Sequence, residues 1–411
     1  MVGRTMAWRA LAGACAVLSA FVLAAGCARV APRPAPSPSR RPATAAPVRR
    51  AAAAITVIRL YRSGLGLAGL TTRPGGGGYA RLLESTDFGA TFRVISPVTG
   101  RYTIADDIWA LNRSLIWFDA FSTVTARERL YWTRDGGRSW HSAAVPGHSL
   151  NAGATSSIQL TTPEDGWMTV QEPTGPGADL YRTADGGAAW HMVAGGPPSP
   201  LRQVAPVEAD PAGGLWQADG LFSDRLEHGT DGGKRWQAFN LTGAPRATGT
   251  AATPQPWYSL PAFFPHQILT AVAVPHRNAE HLLVYASGDR GRTWARVSDL
   301  PLPGPARPLG RAPVRVAFAG PRAWWALVPG RHPRLFLTAG SGRRWRQARL
   351  PAATQAWELA AAGASHAWVL VTTASGSPAI AITEDGGRAW HLVTFRGTRS
   401  RATQVAPGTA P

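Results

Sequence analysis

Leu180-Tyr181-Arg182-Thr183-Ala184-Asp185-Gly186-Gly187-Ala188-Ala189-Trp190 is one of seven variants of the same stretch in this chain. The common core is Ser or Thr, any residue, Asp, any residue, Gly, two further residues, and Trp. The copies begin at Ser85, Thr133, Thr183, Gly229, Ser287, Thr338 and Thr383. Their acids are Asp87, Asp135, Asp185, Asp231, Asp289 and Asp385, and the sixth copy has Gly340 instead. The closing aromatic is Phe92 in the first copy, then Trp140, Trp190, Trp236, Trp294, Trp345 and Trp390. Successive copies lie 45 to 58 residues apart. That period fits one four-stranded sheet per repeat. The expected fold is all-β: a seven-bladed β-propeller of four-stranded antiparallel blades.

Each copy reads as a hairpin. An apolar run such as Ala178-Asp179-Leu180-Tyr181 leads in as a strand. Asp-Gly-Gly turns the chain, since Asp accepts backbone N–H groups across a turn and Gly takes positive φ without a clash. Trp opens the return strand and offers a large apolar face to the next sheet. Upstream, Trp117, Trp167, Trp216, Trp325 and Trp368 recur at the start of the second strand in five of the repeats, which marks them as core. Trp257 falls outside both registers, in the long connection over residues 242–261, and is expected to line a surface. His141, His191 and His391 each follow a closing Trp. They are one repeat position on three blades, so no shared metal site is expected.

Thr133-Arg134-Asp135-Gly136-Gly137-Arg138-Ser139-Trp140 and Thr383-Glu384-Asp385-Gly386-Gly387-Arg388-Ala389-Trp390 resemble Asp boxes, or BNR repeats. These occur in sialidase-like propellers and in the photosystem II stability/assembly factor family. The resemblance covers about residues 55–395. It implies that the six Asp carboxylates are scaffold, because the boxes sit around one rim of the ring. The assembly-factor branch implies non-catalytic binding. A sialidase would need an Arg-Ile-Pro motif near the start of the domain, and the chain has none.

Residues 1–27 read as a secretory signal, with Arg4 and Arg9 ahead of a short apolar run. Leu23-Ala24-Ala25-Gly26-Cys27 resembles the lipobox of bacterial lipoproteins. This implies that Cys27 carries the lipid and holds the protein on the extracytoplasmic face of the cell membrane. Cys15 lies within the part removed, so the mature domain has no disulfide. Residues 28–54, rich in Pro, Ala and Arg, form a tether. Residues 396–411 form a tail, in which Gln404-Val405-Ala406-Pro407 repeats Gln203-Val204-Ala205-Pro206; the tail is expected beside the first blade.

The formal charge is +19, and +11 remains once the eight arginines of residues 1–50 are set aside. Such a balance favours a protein or anionic polymer partner. No nucleic-acid module is present, no cofactor or metal is expected, and the propeller is expected to be monomeric. The loops opposite the Asp boxes hold Arg127, Arg129, Arg225, Arg277, Arg307, Arg311, Arg331 and Arg334, a candidate basic binding surface. The expected function is a membrane-anchored binding or assembly scaffold with no catalytic residues. The alternative is a glycoside hydrolase of sialidase-like type, for which Asp119, Asp224 and Glu227 are the nominated acids.

Overall fold

The computed structural model describes residues 54–71, 79–97, 104–122, 125, 127–146, 156–171, 178–193, 207–218, 225–241, 256–276, 279–302, 313–330, 332–351 and 353–395. They form seven antiparallel sheets, each built from consecutive strands, with no helix among the described residues. The protein is a seven-bladed β-propeller. Blade 1 comprises Ala54–Leu60, Gly66–Thr71, Ala80–Ser85 and Arg93–Val94, and blade 7 comprises Ala353–Ala362, His366–Thr373, Pro378–Thr383 and His391–Val393. In each blade the repeated turn joins the third strand to the fourth, as the hairpin reading requires. It lies against the turn joining the first strand to the second: Gly186 N–H donates to Glu164 O at 2.7 Å and Gly386 N–H to Ser365 O at 2.8 Å.

The core consists of seven apolar clusters, one at each junction between neighbouring blades. The periodic tryptophans explain this. Trp117, Trp216, Trp325 and Trp368 are fully buried, each reaching from its own blade toward the next. Trp117 Nε1 donates to Gly186 O at 2.8 Å, which ties blade 2 to the turn of blade 3.

The ring closes where blade 7 meets blade 1, and both blades are contiguous in sequence. No strand is exchanged among the described residues, and residues 396–411, expected beside the first blade, lie outside them. Side chains make the seam. Trp368 Nε1 donates to Phe88 O at 2.8 Å, and the Trp368 ring packs 5.3 Å from Phe92, which meets Phe395 edge-on at 5.6 Å. Gly66 is required here: a Cβ on it would come within 2.1 Å of the Trp368 ring. Phe92, the one closing aromatic that is not Trp, is thus the one at the seam.

Blade 5 departs from the regular pattern. Its first strand is split into Trp257–Tyr258 and Ala262–Phe264, both paired with Gln267–His276. Pro261 has no N–H to give the ladder. Ser259 bridges the break, donating its N–H to Ala271 O at 2.8 Å while its Oγ accepts Ala271 N–H at 2.9 Å. Trp257, expected on a surface, is therefore in this strand and packs half-buried against the junction of blades 5 and 6.

Candidate functional site

The first strands of the blades line the central axis, and charged residues interrupt their apolar runs. Arg59 stands in Ala54–Leu60, Asp107 in Ile104–Ala110, Glu208 in Val207–Ala209 and Glu358 in Ala353–Ala362. Side chains on an inner strand alternate, so these point to the axis while Ile58, Ile108 and Leu60 fill the junctions. Arg59 Nη2 donates to Asp107 Oδ1 at 2.5 Å, and its Nη1 donates to Glu358 Oε1 at 3.2 Å. The other Asp107 oxygen accepts Ile158 N–H of blade 3 at 3.0 Å. Gln159 then reaches blade 4 twice, through Glu208 Oε1 at 3.0 Å and Ala209 N–H at 2.5 Å. In the other direction Arg315 Nε donates to Trp357 O of blade 7 at 3.3 Å. One polar belt thus runs through blades 6, 7, 1, 2, 3 and 4.

Protein surrounds the belt, yet solvent in the channel still reaches it. Arg59 keeps 36% of its side-chain surface, Glu358 21% and Asp107 12%. Burial disfavours the Arg59 charge, but Asp107 and Glu358 together outweigh it and raise its pKa above the usual guanidinium range. Burial pushes Glu208 up to about 8, against the pull of Arg59 and the Gln159 hydrogen bond. Burial likewise raises Glu358. On the face carrying the repeated turns, Arg62 of blade 1 lies over the Phe264 ring of blade 5 at 4.6 Å. These blades are not neighbours, so the contact spans the axial opening on that side.

Five of the repeated turns share one construction. Asp87, Asp135, Asp185, Asp289 and Asp385 each accept the Ser or Thr hydroxyl two residues before them at 2.7 to 2.9 Å. Each also accepts the backbone N–H four residues on, at 2.9 to 3.0 Å. The Thr293 hydroxyl and then its N–H hold Asp289 down at about 2. The Ser139 hydroxyl and N–H hold Asp135 lower still. The fourth turn differs: Gly229 has no hydroxyl to offer, Asp231 takes φ +54°, and among the described residues its carboxylate joins no such network. In that blade Trp216 Nε1 turns instead to Asp210 Oδ2 at 3.1 Å, and His228 stacks on Trp216 at 4.1 Å.

The nominated positions scatter. Arg127 is exposed, while Arg129, Arg225 and Arg334 are half-buried, on blades 2, 4 and 6. Arg129 Nη1 donates to Ser142 Oγ at 2.8 Å. Arg277, Arg307, Arg311, Arg331, Asp224 and Cys27 lie outside the described residues. Asp119 and Glu227 are buried, not open to substrate, and Asp119 Oδ1 accepts Asp107 N–H at 2.5 Å beneath the belt. Sequence reasoning passed over the belt itself. Its signal was present, as single acids within the apolar inner strands Val207-Glu208-Ala209 and Ala356-Trp357-Glu358-Leu359. Among the described residues no three His, Cys, Asp or Glu side chains gather as metal ligands.

No family model matches this chain, and no curated protein does. Solved structures do. YCF48 bound to a D1 peptide aligns at TM-score 0.50 and 16% identity, over 81% of this chain and 94% of that one. YCF48 from Cyanidioschyzon merolae aligns at TM-score 0.51 and 15% identity, over 82% and 97%. A puromycin-hydrolysing peptidase of Mycobacterium tuberculosis aligns at TM-score 0.52 and 15% identity, over 89% of this chain but 56% of that one. The likeness is one of fold.

Proposed function

We propose that this protein is a lipid-anchored, extracytoplasmic propeller that binds a partner protein and acts as a non-catalytic assembly scaffold. The observation that carries the reading is the state of the axial acids. Asp107 and Glu358 are both committed to Arg59, and Asp107 further accepts Ile108 N–H at 2.8 Å and Ile158 N–H. A glycosidase needs two carboxyl groups about 5–9.5 Å apart and free to act on one sugar. Here Asp107 and Glu358 serve as counterions to Arg59 between blades. The YCF48 chains align with this one over nearly their whole length, 94% and 97%, and one was solved with a D1 peptide. The role of binding a peptide is carried over, not the peptide.

In this reading Cys27 holds the chain to the membrane, residues 28–54 give reach, and arginines such as Arg127, Arg129, Arg225 and Arg334, at or beside the starts of third strands and so opposite the repeated turns, attract acidic protein surfaces. The test is crosslinking of the full-length protein in its own membrane, beside a Cys27→Ala control. A partner recovered in near-stoichiometric amount with the wild type is expected. Recovery no greater than the control overturns the reading. The glycoside hydrolase alternative rests on Glu208, whose raised pKa suits a general acid. Turnover of a glycan substrate that is lost in Glu208→Gln would favour it.

A further inference from the structure

The sixth repeated turn keeps the backbone of its sisters without their carboxylate. Thr338 Oγ1 accepts the N–H groups of Gly340 at 3.3 Å and Gly342 at 3.1 Å, as Thr133 does for Asp135 and Gly137. Ser341 and Gly342 take φ +55° and +76°, close to Arg290 and Gly291 at +63° and +83°. In the five regular turns, two donors meet on the Asp: the Ser or Thr hydroxyl and the N–H four residues on. In the sixth, these donors are the Thr338 hydroxyl and Arg344 N–H. Among the described residues neither finds an acceptor. Thr338 is 1% exposed, so its hydroxyl is held by the fold, while Arg344 lies at the surface.

The surroundings point the same way. A groove of about 620 Å³ runs between blades 6 and 7 beside this turn, lined by Arg344, Trp345, Arg346, Ser365, Asp385 and Arg388. Arg346 donates to Gly386 O, which fixes its guanidinium in the groove wall. Asp385 is the one acid lining the groove, and its carboxylate is already taken by Thr383 and the N–H groups of Arg388 and Ala389. The groove therefore carries three arginines, of which Arg346 and Arg388 donate to Gly386 O and Asp385 O while the Arg344 side chain makes no hydrogen bond among the described residues. It runs beside the turn whose Thr338 hydroxyl and Arg344 N–H lack the carboxylate of the sister turns.

We propose that the sixth turn binds a carboxylate from outside: an Asp or Glu side chain of an acidic peptide lying in the groove between blades 6 and 7. It supplies what Asp87, Asp135, Asp185, Asp289 and Asp385 supply from within. That the peptide belongs to a partner protein rests on the scaffold reading; the pair of donors does not.

Gly340→Asp tests this, because the sister turns show where an internal carboxylate would go. Gly340 does not need positive φ, and a Cβ there meets nothing within 4 Å. The assay is fluorescence anisotropy of a labelled twelve-residue peptide rich in Asp and Glu, titrated with the full-length protein at low ionic strength. Its Asn/Gln counterpart and inorganic phosphate serve as the other probes, and melting temperature is measured in parallel. The acidic peptide is expected to bind the wild type, and at least about ten-fold more weakly to Gly340→Asp and Arg344→Ala. The Asn/Gln peptide is expected not to bind, and Gly340→Asp is expected to melt higher. Equal binding by wild type and Gly340→Asp overturns the site, as does no binding of the acidic peptide. A lower melting temperature for Gly340→Asp overturns the donor geometry. Phosphate binding as tightly as the peptide overturns the peptide as occupant. All of these leave the scaffold reading to its crosslinking test.

Discussion

Glu208 sets the most quantitative consequence of the axial belt. Its carboxyl ionises near pH 4.5 when free and near 8 in the folded chain, because burial opposes the charge. Below pH 4.5 both states are protonated and folding is unaffected. As pH rises from 4.5 to 8 the unfolded chain ionises first, and stability is lost throughout that window. At about 1.4 kcal/mol per pH unit the loss has a ceiling of about 5 kcal/mol. Solvent in the channel screens the charge, which brings the expected effect to about 2–3 kcal/mol. Glu208→Gln keeps a partner for Gln159 and has no proton to lose. Unfolding in urea at pH 4.5 and pH 9 is the assay. The variant is expected to match the wild type at pH 4.5 and to exceed it by about 2–3 kcal/mol at pH 9, roughly 3–6 °C in melting temperature. A difference of equal size at both pH values, or a variant weaker at pH 9, refutes the reasoning.

Other consequences follow from the same geometry. Arg59→Gln leaves buried Asp107 and half-buried Glu358 without their counterion and is expected to cost about 3 kcal/mol at pH 8, with the loss shrinking in acid as Glu358, whose pKa burial raises, protonates; urea unfolding at pH 8 and pH 5 checks it. Trp368→Ala opens the seam between blades 7 and 1 and is expected to cost about 3–5 kcal/mol, read as a fall in melting temperature. Asp87→Ala removes the acceptor of Ser85 and Thr91 and is expected to cost about 1 kcal/mol, whereas Asp231→Ala, outside any such network, is expected to change stability by less than about 0.5 kcal/mol. Asp289 titrates near 2 when folded against 3.8 when free, so the stability it adds is present above pH 4 and lost as pH falls toward 2. Asp87, Asp185 and Asp385 shift in the same direction. An acid-induced fall in melting temperature within that window is expected, and less of it is expected in a variant lacking Asp289.

The blades were legible because the repeat is local chemistry. A hydroxyl, a carboxylate and glycines at fixed spacing define one turn, and the closing Trp and the second-strand Trp mark two strands by burial alone. What the sequence could not place was anything that depends on the ring closing. Arg59 and Glu358 are neighbours across the seam although 299 residues separate them. Nothing local to Val207-Glu208-Ala209 says that it faces Gln159. Trp257 misled because its connection is rich in Pro, Ala and Thr, while Ser259 repairs the strand through a side chain. Asp119 read as an open-face acid because strand alternation alone does not tell which face carries the neighbouring blade. Asp231 matched the motif yet lacks its network, since Gly229 removed the hydroxyl that organises the turn. Gly340 was visible as an exception from the start, and its meaning needed the five regular turns in three dimensions.

The central claim is that this propeller works by holding a partner. The most direct test is the native mass of the full-length protein extracted from its own membrane in mild detergent. The account predicts a complex heavier than one copy of the processed chain, containing one other protein in fixed ratio. A homogeneous species at the mass of the chain alone would contradict it.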